Sequence, residues 1–102
     1  MDIELLRRRI RKGDYLIRAH AIQHALKEGF EHKHMIAVVL TGSIIEEYPD
    51  DERVLLGAEV ALAEKVKVDL HVVCEYSDPV YAEFVTAYIP VMRESKRGKK
   101  RK

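Results

Sequence analysis

The hydrophobic pattern changes period at Gly42, and this switch restricts the fold more than any motif in the chain. Before Gly42 apolar residues recur every three or four positions, the spacing of one helix face. In DIELLRRRIRKG the stripe is Ile3, Leu6 and Ile10, widened by Leu5. Asp2 is a natural N-cap, and the cations gather late, where the helix dipole favours them. Gly13 ends this helix, and residues 14–18 form a short extended or turn link. RAHAIQHALKEGF makes a second helix stopped at Gly29, and EHKHMIAVVLTG a third, with Met35, Ile36, Val39 and Leu40 on its stripe.

After Gly42 the period becomes that of strands. SIIEEY, the turn YPDD and RVLLGAEVAL read as a hairpin around Pro49, Asp50 and Asp51, residues suited to tight turns. A turn near Ala63–Lys65 leads into VKVDLHVVCEY. Ser77, Asp78 and Pro79 turn the chain again, and YAEFVTAYI runs to Pro90. Short links imply antiparallel neighbours. Helices followed by strands predict an α+β domain over residues 1–92, with two to three N-terminal helices on one face of a four-stranded antiparallel sheet.

Composition separates the last ten residues from this body. The whole chain of 102 residues carries a net charge of +1. RESKRGKKRK, residues 93–102, holds seven basic residues and one acidic, a local charge of +6 that leaves −5 on residues 1–92. With no apolar residue after Met92, this stretch is predicted to be a disordered basic tail. It serves either solubility or non-specific RNA binding through Lys99, Lys100 and Arg101, because clustered cations release counterions from phosphates. The single cysteine excludes an internal disulfide and fits a cytoplasmic location. The N-terminus lacks an apolar signal-peptide region, and no apolar run approaches a membrane span. The absence of Asn and a single Gln match a thermophile-like composition.

The candidate chemistry lies on one helix and two strands. A wheel for the second helix puts Ile22, Ala25, Leu26 and Gly29 toward the sheet and His20 and His24 near the opposite side. The pair admits three readings: two metal ligands, surface decoration, or a catalytic or phosphate-binding role. A metal would need a third ligand from His32, His34 or His71, and the glutamate of an HExxH motif is missing; no metal or other cofactor is expected. Arg18 sits at the helix N-terminus, where backbone N–H groups attract anions. Alternation puts His71 and Glu75 on one strand face and Thr86 and Tyr88 on the matching face of the last strand. Cys74 falls on the apolar side as a core residue.

Several stretches taken together, RAHAIQHALKEGF, GSIIEEYPDDERVLLGA, LHVVCEY and FVTAYIP, resemble a bacterial and archaeal family known only as a domain of unknown function. Through it the chain resembles RelE-like toxins of the barnase–EndoU–colicin–RelE nuclease superfamily. The resemblance spans residues 15–90. His20 and Ala21, Tyr48 to Asp50, Leu70 to Val73, and Thr86 with Tyr88 carry its motifs. Family members often have a basic residue before the helix-ending glycine, where this chain has Glu28; Arg18, Arg53 or the tail would then supply the cation. The resemblance implies a metal-independent ribonuclease with an RNA substrate and a separately encoded antitoxin partner. Attack of the RNA 2′-OH on the adjacent phosphate needs a base, an acid and cations. His20 and His71 suit the proton roles, Tyr88 suits a hydrogen-bond donor, and Arg18, Arg53 and Thr86 suit phosphate or RNA contacts. The alternative is a non-catalytic RNA- or protein-binding module using the same face. Neither reading fixes the oligomeric state.

Overall fold

The computed structural model describes residues 1–90. Its first helix, α1 (Ile3–Lys12), begins as the sequence predicts: the Asp2 carboxylate accepts the Glu4 N–H at 2.9 Å. It ends where Gly13 takes a left-handed φ of 82°, a conformation that favours glycine. The chain continues through β1 (Tyr15–Ile17), α2 (Ala19–Glu28), α3 (His32–Thr41) and β2 (Ser43–Tyr48). A 3₁₀ turn (Pro49–Asp51) leads to β3 (Arg53–Ala63), β4 (Val66–Glu75) and β5 (Ala82–Tyr88). The α+β class and the three helices match expectation. Among the described residues no helix is long and apolar enough to cross a membrane.

The sheet has five strands and is mixed, which corrects the predicted four antiparallel strands. Its order is β1-β5-β4-β3-β2. β2 to β5 pair antiparallel, whereas β1 lies parallel to β5 with Tyr15 opposite Ala82 and Ile17 opposite Phe84. This strand is the segment that reads as a link in the sequence. Three residues are too few to show a period, and they become a strand only by pairing with one formed much later in the chain. The Ala82 N–H to Asp14 carbonyl bond (3.1 Å) and the Arg18 N–H to Phe84 carbonyl bond (3.0 Å) hold its two ends.

All three helices pack on one face. α2 lies against β5, α3 against β3 and β4, and α1 against α3. Arg7 ties α1 to the end of α3, donating to the Val39 and Gly42 carbonyls at 2.9 and 3.0 Å. The core between helices and sheet includes Leu6, Met35, Val38 and Val39 against Val54, Leu56, Leu70, Val72 and Phe84. Gly42 sits where a Cβ would come within 2.5 Å of both the Gly57 and Val38 carbonyl oxygens. The switch from helix to strand is therefore also a close backbone contact.

The predicted face of α2 is wrong in detail, and β5 departs from simple alternation. α2 meets β5 through Ala21 and Ala25, both buried, and leaves Ile22 46% and Leu26 82% exposed. Small side chains let the helix approach the strand closely, and the larger apolar residues turn to its outer flank. In β5 the pairing slips between Val73 opposite Thr86 and Cys74 opposite Phe84. This bulge passes over Val85 and returns Phe84 to the helix side. There Phe84 is fully buried, with its ring edge-on to Tyr15 at 5.7 Å. Val85 is only half-buried, while Val39, Leu70, Val72 and Ile89 are buried. Cys74 is a core residue as expected, and burial pushes its thiol up to about 12.

Candidate functional site on the open sheet face

The sheet face away from the helices carries a cluster of four charged side chains. Arg53 and Glu75 are paired across β3 and β4, and the Arg53 Nε donates to Glu75 Oε1 at 2.9 Å. Arg18, the residue before α2, reaches the same oxygen with Nη2 at 3.3 Å. Its Nε donates to Glu83 Oε1 at 2.8 Å. The Ser77 hydroxyl donates to the other Glu75 oxygen at 2.6 Å. The two expected phosphate-binding arginines are thus brought together, on one carboxylate. The Ser77 hydrogen bond, followed by that from Arg53, holds the Glu75 carboxyl below the usual range. The Arg18 guanidinium is pushed upward, chiefly by its bond to Glu83.

Two arginines and two glutamates cancel in charge, so this cluster is not a bare cationic clamp. Each guanidinium nevertheless has five N–H donors in a fixed fork. The carboxylates engage two nitrogens of Arg18 and one of Arg53. An incoming phosphate can share them or displace a carboxylate. The neighbouring N-terminus of α2 has no side-chain cap, and the first N–H groups of a helix lack intrahelical partners.

His71, Thr86 and Tyr88 share this open face. His71 is opposite Tyr88 across β4 and β5, and Val73 is opposite Thr86. The His71 and Tyr88 rings meet edge-on, 5.4 Å between centres. Gly57 lies beneath them: a Cβ there would stand 3.1 Å from His71 Cδ2 and 2.5 Å from Ile45 Cδ1. Leu55 is buried yet stands outside the helix-side core, so the open face has its own apolar centre. Tyr48 borders it, donating to Glu46 at 3.1 Å, and desolvation, then Glu46, pushes its phenol upward. His71 is four residues from Glu75 along β4, roughly 13 Å at strand rise. The ring pair and the charged cluster are therefore separate features of the same face.

His20 occupies the second position of α2 and is exposed. Its ring lies 4.6 Å from that of His24. His24 is half-buried beside the strand, because the buried stripe is Ala21–Ala25. Its Nδ1 is 3.1 Å from Glu28 Oε2, and the other Glu28 oxygen accepts the Ile89 N–H at 2.8 Å. His34 is remote from this role, since its Nδ1 accepts the Glu31 N–H at 2.9 Å and closes the start of α3. Among the described residues no group of three or more His, Cys, Asp or Glu side chains could hold a metal ion. Lys99, Lys100, Arg101 and the rest of the basic tail lie outside the described residues.

Sequence reasoning left Glu75 and Glu83 out of the site, although alternation already put Glu75 on the correct face. The missing signal is register: only the pairing of Arg53 with Glu75 and of Glu75 with Glu83 shows that four distant charges meet. The fold and site together define a small α+β domain with one helix-covered and one open, polar sheet face. Residues 17–89 match the model of the domain of unknown function DUF4258, and the chain belongs to that family. No curated protein and no solved structure matches the chain.

Proposed function

We propose that the open sheet face binds single-stranded RNA and cleaves it by attack of the 2′-OH on the adjacent phosphate, in the manner of RelE-like toxins. The observation carrying this reading is the meeting of Arg18 and Arg53, thirty-five positions apart, on Glu75. Arg18 is also the residue before α2, which carries His20 at its second position. Cations and helix N–H groups stabilise charge developing on the phosphate. In this reading His20, two residues after Arg18, supplies one proton-transfer group. Glu75, whose carboxyl the Ser77 and Arg53 bonds hold below the usual range, becomes a better proton acceptor once a phosphate draws the arginines away. His71, Tyr88 and Thr86 contact the neighbouring nucleotide, with rings suited to base stacking. A cognate antitoxin protein covering this face is the partner implied by the reading.

Cleavage of unstructured RNA in excess EDTA tests it. Loss of positioned acid–base catalysis in His20→Ala should lower the rate about 10²–10⁴-fold, with Arg18→Ala and Arg53→Ala also impaired. EDTA-resistant cleavage that survives His20→Ala would remove His20 from the mechanism, and activity restored only by zinc would make the chemistry metal-dependent. The charge cancellation within the arginine–glutamate cluster favours a second reading, a non-catalytic binding module. RNA retained by the wild type and released by Arg53→Ala, with no cleavage at any pH, would establish that reading instead.

A further inference from the structure

We infer that His20 and His24 form a transition-metal site on α2, oriented by Glu28. The inference stands on the geometry of the helix and is tested apart from the RNA reading, whose cleavage in EDTA uses His20 free of metal. Residues four apart lie one turn above the other, and here their rings are 4.6 Å apart and tilted by 58°. An imidazole nitrogen binds zinc at about 2.0–2.1 Å, which places the ion roughly 3 Å from each ring centre. Ring centres 4.6 Å apart lie within the span that one ion can bridge.

The hydrogen bonds around His24 point to the same use. A metal-binding histidine commonly donates its other ring N–H to a carboxylate, which fixes the tautomer and aims the remaining nitrogen at the metal. Glu28 Oε2 stands 3.1 Å from His24 Nδ1, and Glu28 Oε1 is held by the Ile89 N–H at 2.8 Å. The carboxylate is thereby locked between helix and strand, with its side chain only 11% exposed. Its position in the last turn of α2 is one that the helix dipole disfavours for an anion, so these two bonds account for its place. Glu28 orients a ligand and is not itself one, which leaves two protein ligands and further positions for water or an anion. Imidazole donors select zinc, copper or nickel over magnesium.

Calorimetric titration of zinc alone into the full untagged chain, followed by ring ¹H–¹⁵N NMR spectra of the histidines, tests the site. One ion should bind per chain, shifting the His20 and His24 resonances but not those of His32, His34 or His71, and magnesium should not compete. His20→Ala, an exposed substitution, should weaken binding at least tenfold with unchanged thermal unfolding of the metal-free protein, and His24→Ala should weaken it at least tenfold as well. Glu28→Gln retains an oxygen for the Ile89 N–H and should weaken binding about 10–100-fold. Absence of zinc binding, binding that survives His24→Ala, or shifts centred on other histidines would overturn the site. Full affinity in Glu28→Gln would overturn the orienting role of the carboxylate.

Discussion

Glu75 shows how one carboxylate can organise a surface. It accepts from Arg53 and Ser77 and pairs with Arg18, and its folded pKa is lowered by the Ser77 bond first. Around its titration the unfolded chain therefore binds more protons than the folded one. The stabilisation is fully present above the unfolded value of about 4.3 and is lost as pH falls through the lower folded value. Glu75→Gln should unfold at lower urea than the wild type at pH 7, with the difference shrinking toward pH 3; an equal difference at both pH values would show that ionisation of Glu75 contributes nothing. At this scale the sequence is legible in part. Alternation correctly sets His71, Glu75, Thr86 and Tyr88 on one face, because a strand presents every second residue to the same side. It carries no information on Arg18 meeting Glu83, which depends on how strands 65 positions apart come together.

Whole elements were legible wherever a period had room to repeat. The three helices, the long β3–β4 hairpin and their turns follow from spacing and from Gly, Pro and Asp punctuation. The failures have distinct physical causes. β1 has only three residues. A bulge at Val85 resets the face of β5 midway, which alternation read from either end cannot locate. On α2 the wheel weights bulk, whereas close packing on β5 selects the small residues Ala21 and Ala25. Ala25→Leu should therefore destabilise by about 1–3 kcal/mol through overpacking, while Leu26→Ala should change stability by no more than about 0.5 kcal/mol. Urea denaturation distinguishes them, and the reverse order would restore the face read from the sequence.

At the level of the molecule, the parallel pairing of β1 with β5 dictates an order of events. The β3–β4 hairpin joins neighbours in sequence and closes a short loop. β1 must wait for residues 82–84, across almost the whole described chain, and closing so long a loop is entropically slower. In pulse-labelled hydrogen exchange during refolding, β3 and β4 amides should gain protection before Arg18, whose N–H donates to the Phe84 carbonyl; simultaneous protection would contradict this sequence of assembly. The partners of Arg18 are Glu75 and Glu83, so the open face is completed only after the last strand has docked. A nascent chain on the ribosome would carry both arginines long before it carried a finished site. Under the RNA-cleaving reading, the final strand is a timing device: no activity is possible before residues 82–88 have been made and have docked.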